Sequence, residues 1–262
     1  LHPDLIPLRN QVHHQAGAPR GAACFFSDWL AFNPSVLDGS RLALMSGLPY
    51  SGIESMDPKQ TPCCAQAGCS SLDSGYWQSR YDQGQTGWDR GEASPALQHW
   101  LESGQLKPCR ILVPGCGRGH EVVALAAAGF EVTAVDFAPA AIAALREQLD
   151  AKGLGATLIQ ADLFEFVPDR PFTAIYEQTC LCAIKPVQRE DYERRLASWL
   201  MSGGKLYALF MQTDSSSGPP YACPPEAMQG LFPVERWRWP AKLEPISHPA
   251  QLIELAGVLE RV

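Results

Sequence analysis

No stretch of this chain is apolar for long enough to cross a bilayer. The longest run, Val122 to Phe130, falls far short of the roughly 20 residues that a spanning helix needs. Blocks of Lys and Arg are absent and the formal net charge is −7, which argues against an electrostatic surface for nucleic acid. The N-terminus lacks a basic head followed by an apolar segment, so no signal peptide is expected. Cysteine is plentiful, yet a disulfide framework is missing. The number, nine, is odd; Cys116 sits inside a glycine turn, and Cys180 and Cys182 flank the end of a predicted strand. Reduced thiols in a cytoplasmic protein follow. Cys63, Cys64 and Cys69 have no zinc-ligand spacing, so no metal is expected.

What is present describes a globular protein. Hydrophobic residues make up 46% of the 262 and charged residues 19%, enough to bury a full core. Residues 1–70 hold scattered Pro, Gly and Ser without a sustained period. They read as an irregular N-terminal extension with the composition of a disordered segment, and Met56 in M-D-P-K-Q is a candidate shorter start. Residues 71–262 form the second unit. There, Arg110–Val113 reads as a strand, followed by a glycine turn and a helix over 119–128. Phe130–Val135 is a second strand, and Pro139 opens a helix that ends near Gly153. Thr157–Gln160 and Phe172–Tyr176 are strands, Arg189–Met201 is an amphipathic helix closed by Gly203 and Gly204, and Lys205–Met211 is a fifth strand. Val234–Trp239 and Leu255–Val262 read as two late antiparallel strands. Strands alternating with helices predict an α/β, Rossmann-like fold: a mostly parallel sheet covered on both faces, ending in an antiparallel hairpin.

The chemistry concentrates in R-I-L-V-P-G-C-G-R-G-H-E, residues 110–121. On the turn alone, a dinucleotide phosphate, a sulfonium cofactor and plain turn geometry are all open. Asp136 ends the next strand about 20 residues further on, where a carboxylate can grip ribose hydroxyls. The dinucleotide fingerprint G-x-G-x-x-G has its third glycine one position later than Gly119. Gly115, Gly117 and Gly119 instead give G-x-G-x-G, the spacing usual for S-adenosylmethionine. After the third strand, Asp162 in A-D-L-F suits the adenine amino group or a helix N-cap, and the two roles are compatible. Before the turn, Tyr76, Trp77, Tyr81 and Trp88 suggest either an aromatic lid facing a sulfonium or packing anchors of a helix.

With these pieces together, the chain from about Gly75 onward resembles the thiopurine S-methyltransferase family, more closely its halide and thiol methyltransferase branch. The matching stretches are Y-W-Q-S-R-Y-D-Q-G-Q-T-G-W-D-R-G-E-A-S-P-A-L, L-V-P-G-C-G-R-G-H-E-V, V-D-F-A-P-A-A-I, A-D-L-F, C-A-I-K-P and G-P-P-Y. Val113-Pro114 stands before the first glycine, where many methyltransferases carry an acid. The resemblance implies a class I S-adenosylmethionine-dependent methyltransferase. It places Trp77, Trp88, Gly115, Asp136, Asp162 and Leu163 around the cofactor, with Gly117, Gly119 and Phe137 beside them. It also implies that Glu177, where relatives often carry Asp, lies by cofactor and substrate, and that Tyr221 of G-P-P-Y lies near the acceptor pocket.

Methyl transfer from a sulfonium needs alignment and desolvation more than acid–base machinery, since a thiolate or halide attacks directly. His120 therefore reads as helix N-terminal packing, and Cys180 and Cys182 as small core residues. The expected activity is methylation of a small soft nucleophile by a monomer with no nucleic-acid or membrane partner. Rival readings are a thiopurine, aromatic or natural-product thiol methyltransferase, an NAD-dependent oxidoreductase, and a cofactor-binding sensor without turnover.

Overall fold

Apolar residues on both faces of the central strands require a sheet covered on both sides. The computed structural model describes residues 72–262 except residue 216; the segment expected over 1–70, with Met56 and the Cys63, Cys64, Cys69 triplet, lies outside the described residues. In β1 (Arg110–Pro114), Ile111 and Val113 join one core and Leu112 the other. The same division runs through β4 (Phe172–Gln178) and β5 (Leu200–Gln212). Tyr176, Tyr207 and Leu209 face the first core; Ile175, Leu206 and Phe210 face the second.

With β2 (Glu131–Asp136) and β3 (Thr157–Gln160), these strands run parallel in the order β3-β2-β1-β4-β5. β8 (Leu252–Arg261) then pairs antiparallel with β5, and its outer edge is shared by β6 (Trp237–Arg238) and β7 (Glu244–His248). Because β1 lies between β2 and β4, the winding reverses there. A crevice opens at the carboxyl ends of those strands, where open α/β sheets bind ligands.

Helices α2 (Pro95–Glu102), α3 (His120–Ala127) and α4 (Pro139–Lys152) cover one face through Leu97, Trp100, Val122, Leu125, Leu145 and Leu149. The other is covered by α5 (Arg189–Trp199) and α6 (Pro225–Leu231) through Tyr192, Leu196, Trp199 and Met228. Local chemistry accounts for several ends. Ser94 caps α2 by accepting from the Ala96 amide, Pro139 opens α4, and Gly153, at φ 61°, closes it. α4 lacks a side-chain cap of its own. Gln78 of α1 (Ser74–Asp82) accepts the Ala140 N–H at 3.0 Å instead, which fastens α1 to α4.

The expected α/β architecture is present, with three local corrections. α5 stops at Trp199 because Leu200 already pairs with Phe172; residues 201–204 then bulge before Lys205 pairs with Ala174. Gly203 and Gly204 thus sit in the bulge and not in a turn after the helix. The hairpin partner of β8 is β7, whereas the strand expected at Val234–Trp239 contracts to Trp237–Arg238. Side chains hold that segment where a ladder was expected: the Trp237 indole donates to Glu193 of α5 and the Trp239 indole to the Phe232 carbonyl. α2 and α6 are the third difference, short helices beyond those the pattern predicts. Among the described residues no helix is long and apolar enough to cross a membrane.

Candidate active site

A cavity of about 930 Å³ fills the crevice, at the upper end of the range usual for small-molecule sites, about 300–1,000 Å³. Its wall brings together Gly115, Gly117, Gly119, Asp136, Phe137, Asp162, Leu163, Trp77 and Trp88, which lie on five separate segments of the sequence.

The three glycines are all left-handed, with φ of 58°, 54° and 74°, and two of them are also needed for close packing. A Cβ on Gly115 would stand 2.8 Å from the Cys180 sulfur, and one on Gly119 2.4 Å from Leu145 Cδ1. Those two glycines let protein approach protein. At Gly117 nothing packs so closely: the nearest neighbour is the Tyr81 hydroxyl at 3.3 Å, across the cavity wall.

Asp136 closes the turn from the other side. Its Oδ2 accepts the Gly117 N–H and its Oδ1 the Ala138 N–H, both at 2.9 Å. Burial raises its pKa, and these backbone donors counter the rise. Asp162 does what an N-cap does, accepting the Phe164 N–H at 2.8 Å, and lines the cavity as well.

The aromatic stretch forms a wall, not a core anchor: α1 buries none of its residues. Trp88 meets Trp77 and Tyr81 edge-on, with centroids 5.4 and 5.7 Å apart, and all three line the cavity. Tyr76 stays outside it, edge-on to Trp77. His120 opens α3 with its Nε2 2.8 Å from Asp89, so it packs at the helix N-terminus as expected.

Glu177 and Tyr221 are not brought to the wall. Glu177 is 1% exposed and lies behind it, where its Oε1 accepts the Leu181 N–H at 2.6 Å and its Oε2 has no partner. That bond spans the turn that carries Thr179 at φ 57°, an uncommon conformation for a β-branched residue, and presents Gln178, Thr179 and Cys180 to the cavity. The Tyr221 ring packs on Gly218, and its amide donates to the Cys182 carbonyl at 2.7 Å beside the lining residues Pro219 and Pro220.

Several lining residues carried no signal in the sequence. Cys116, Cys180, Cys182 and Met211 line the cavity while also belonging to the two cores, so the core reading of Cys180 and Cys182 was correct and incomplete. Burial pushes all three thiols well above the usual range, which keeps them protonated and poor nucleophiles. Arg90 and His248 also reach the wall, from widely separated parts of the sequence.

Glu177 has a measurable consequence. Burial, with the nearby Glu254 charge, raises its pKa from 4.5 to about 8, while the Leu181 amide lowers it. An unfolded chain ionises this group near 4.5, so its contribution to stability is complete below that pH and is lost as pH rises through about 8. Glu177→Gln, uncharged throughout, should flatten that decline: its urea midpoint falls less than that of the unmodified protein between about pH 5 and pH 8. Identical slopes would refute the assignment.

Comparison with known proteins agrees with this geometry. Residues 72–244 match the family described as thiopurine S-methyltransferase. A probable thiol methyltransferase 2 from Arabidopsis thaliana is 33% identical over 155 residues, 58% of this chain and 69% of the relative. Thiocyanate methyltransferase 1 from Brassica oleracea is 33% identical over 154 residues, 58% and 68% of the two chains. A thiopurine S-methyltransferase from Pseudomonas aeruginosa (strain UCBPP-PA14) is 31% identical over 181 residues, 62% and 83%. Among solved structures, the N-methyltransferase NodS from Bradyrhizobium japonicum WM9 with S-adenosylhomocysteine superposes with a TM-score of 0.59 at 16% identity, covering 72% of this chain and 99% of that one. A chain from the conversion of a disulfide bond into a thioacetal group during echinomycin biosynthesis gives 0.61 at 20% identity, covering 72% and 91%. This chain therefore belongs to the thiopurine S-methyltransferase family and is an S-methyltransferase that draws its methyl group from S-adenosylmethionine.

Proposed function

We propose that the methyl acceptor is a small soft nucleophile: a thiol, hydrosulfide, thiocyanate or a halide. One observation carries this reading. Beside the polar Gln178, Thr179 and Lys185, the cavity wall around the turn after β4 carries Cys116, Cys180, Cys182, Met211 and Ile184, a sulfur-rich and largely apolar patch. Polarisable sulfur suits polarisable acceptors and offers little to a hard oxygen nucleophile. The thiol and thiocyanate methyltransferases among the relatives act on acceptors of this class, as their names say.

The residues present suit the cofactor. Gly117 leaves backbone open to the cavity, and the buried Asp136 carboxylate keeps lone pairs beyond those used by its two amide donors. In this reading Asp136 takes the ribose hydroxyls, Asp162 the adenine amino group, and Phe137 and Leu163 flank the base. Trp77 and Trp88 present ring faces and edges toward a cation. When bound, S-adenosylmethionine supplies a methyl group on a sulfonium, open to in-line displacement. The chain's part is alignment and exclusion of water. Glu177 and Tyr221 act from behind the wall: Glu177 holds the Thr179 turn in place, and Tyr221 seats Pro219 and Pro220 against the Cys182 carbonyl. The five described cysteines are all free, which suits a reducing compartment such as the cytoplasm.

The direct experiment supplies S-adenosylmethionine with bisulfide, thiocyanate, iodide, thiophenol or 6-mercaptopurine and quantifies S-adenosylhomocysteine. Turnover is expected to be best with the small acceptors bisulfide, thiocyanate and iodide. A clear preference for 6-mercaptopurine would move the protein to thiopurines, and cofactor binding without any product would point to an unlisted acceptor or a sensor. In the same assay, Tyr221→Ala should raise the acceptor KM by roughly tenfold with cofactor affinity little changed; equal losses in both would remove Tyr221 from the acceptor side. Asp136→Ala should weaken cofactor binding by about 1–3 kcal/mol in calorimetry. Unaltered affinity there would mean that the carboxylate only shapes the turn.

A further inference from the structure

Three consecutive residues of the aromatic wall, Trp88, Asp89 and Arg90, are fastened to three different parts of the molecule. Trp88 stands in the cavity between Trp77 and Tyr81. Asp89 is tied to the start of α3 through His120 at 2.8 Å and Arg118 at 3.2 Å. Arg90 reaches the β7–β8 hairpin: Nη2 donates to the Ser247 carbonyl at 2.9 Å, and Nη1 lies 3.6 Å from Glu254 Oε2. His248 of the same hairpin abuts the Trp88 backbone.

The clasp on the hairpin side is buried yet incompletely bonded. Arg90 and Glu254 have side chains 9% and 0% exposed. Arg90 Nε and Glu254 Oε1 nonetheless have no hydrogen-bond partner. A buried ion pair left so unsatisfied recovers little of its desolvation cost, and once Glu254 is neutral little remains to offset the cost of keeping the Arg90 charge buried there. It is also wired to the catalytic end of the sheet: Gln178 donates to Glu254 Oε2 at 3.1 Å and accepts from the Tyr176 hydroxyl at 2.6 Å. Tyr176, Gln178 and Arg90 all line the cavity.

We propose that Arg90 is a positioning residue for methyl transfer: its clasp on Ser247 and Glu254 holds Trp88 over the cofactor, and loss of charge on Glu254 releases it. The proposal rests on the cofactor reading alone and is independent of which acceptor is used. The charged and titratable groups facing the clasp from each packed element are Glu121 on α3, Tyr176 and Glu177 on β4, Cys182 in the turn after it, His248 on β7, and Asp89 with its partners His120 and Arg118. Burial holds the Glu254 pKa up at about 7, with Arg90 and Gln178 opposing and Glu121 adding to the rise. Below that pH its carboxyl is neutral and the attraction for Arg90 is gone. Burial and Arg90 push His248 below its ordinary value, so it stays largely neutral near pH 7 and adds repulsion only on stronger acidification. Both changes loosen the clasp as pH falls.

The test follows release of S-adenosylhomocysteine by stopped-flow tryptophan fluorescence from about pH 6.5 to about pH 8.5, without any methyl acceptor. Release from the unmodified protein should quicken as pH falls through about 7. Glu254→Gln, nearly isosteric and uncharged, should release roughly two- to fivefold faster at the alkaline end, the factor that about 0.5–1 kcal/mol makes, and should lose the pH dependence. Arg90→Met should behave likewise, Arg90→Lys should recover part of the effect, and the double variant should add nothing to either single change. Should Arg90→Met fail to fold, Glu254→Gln alone decides. A variant that keeps the pH profile of the unmodified protein, or single effects that sum in the double variant, would overturn the proposal. A role confined to stability would lower the thermal midpoint and leave the release profile unmoved, which also overturns it. Absence of S-adenosylhomocysteine binding at any pH would instead strike the cofactor reading itself.

Discussion

One buried carboxylate sets the geometry on which the rest of the site depends. Asp136 ends β2 at 9% exposure, and its two oxygens accept backbone N–H groups from two different loops, Gly117 of the glycine turn and Ala138 ahead of α4. Charge-assisted bonds to backbone are short and directional, so they fix the two loops relative to one another. Steric contacts then extend this frame. The bare Gly115 accepts Cys180 from the turn after β4, and the bare Gly119 accepts Leu145 from α4. The loops after β1, β2 and β4 are thereby packed into one unit at the point where the winding of the sheet reverses.

The chemistry follows from what this unit leaves exposed to the cavity. Asp136 and Asp162 face the cavity from the ends of β2 and β3, whereas near the turn after β4 the wall sets Cys180, Cys182, Ile184, Pro219 and Pro220 beside the polar Gln178 and Thr179. Sulfur placed there is passive: the thiols of Cys116, Cys180 and Cys182 are raised by burial and remain neutral. Such a wall excludes water and does not compete as a nucleophile. Displacement at a sulfonium by a thiolate or halide demands no more of a protein than this.

The antiparallel end of the sheet contributes more than a closing edge. β8 carries Glu254 and β7 ends in His248, and through Arg90 these reach the same loop that places Trp88 in the cavity. The aromatic wall of the cavity is thus supported from both sides, by the parallel half through Asp89 and by the antiparallel half through Arg90. The second support is the weaker, since several of its buried polar atoms lack partners.

Local chemistry in the sequence was enough for the parallel half. Strand periodicity, Pro139 and Gly153 around α4, the spacing of three glycines and an acid at the next strand end all express short-range constraints; they correctly placed β1–β3, α3 and α4, and the glycines and acids they singled out lie on one cavity wall. Tertiary structure alone decided the rest. Glu177 and Tyr221 lie behind the wall because β4 turns sharply at Thr179 and G-P-P-Y folds back on itself, neither of which a linear pattern encodes. The double role of Cys180, lining a cavity while filling a core, depends on a contact with Gly115 from another loop. The Arg90 clasp joins residues 157 positions apart through single contacts. Backbone propensity acts over a few residues and leaves a periodic trace, whereas a side-chain contact between distant strands leaves none until the sheet has brought them together.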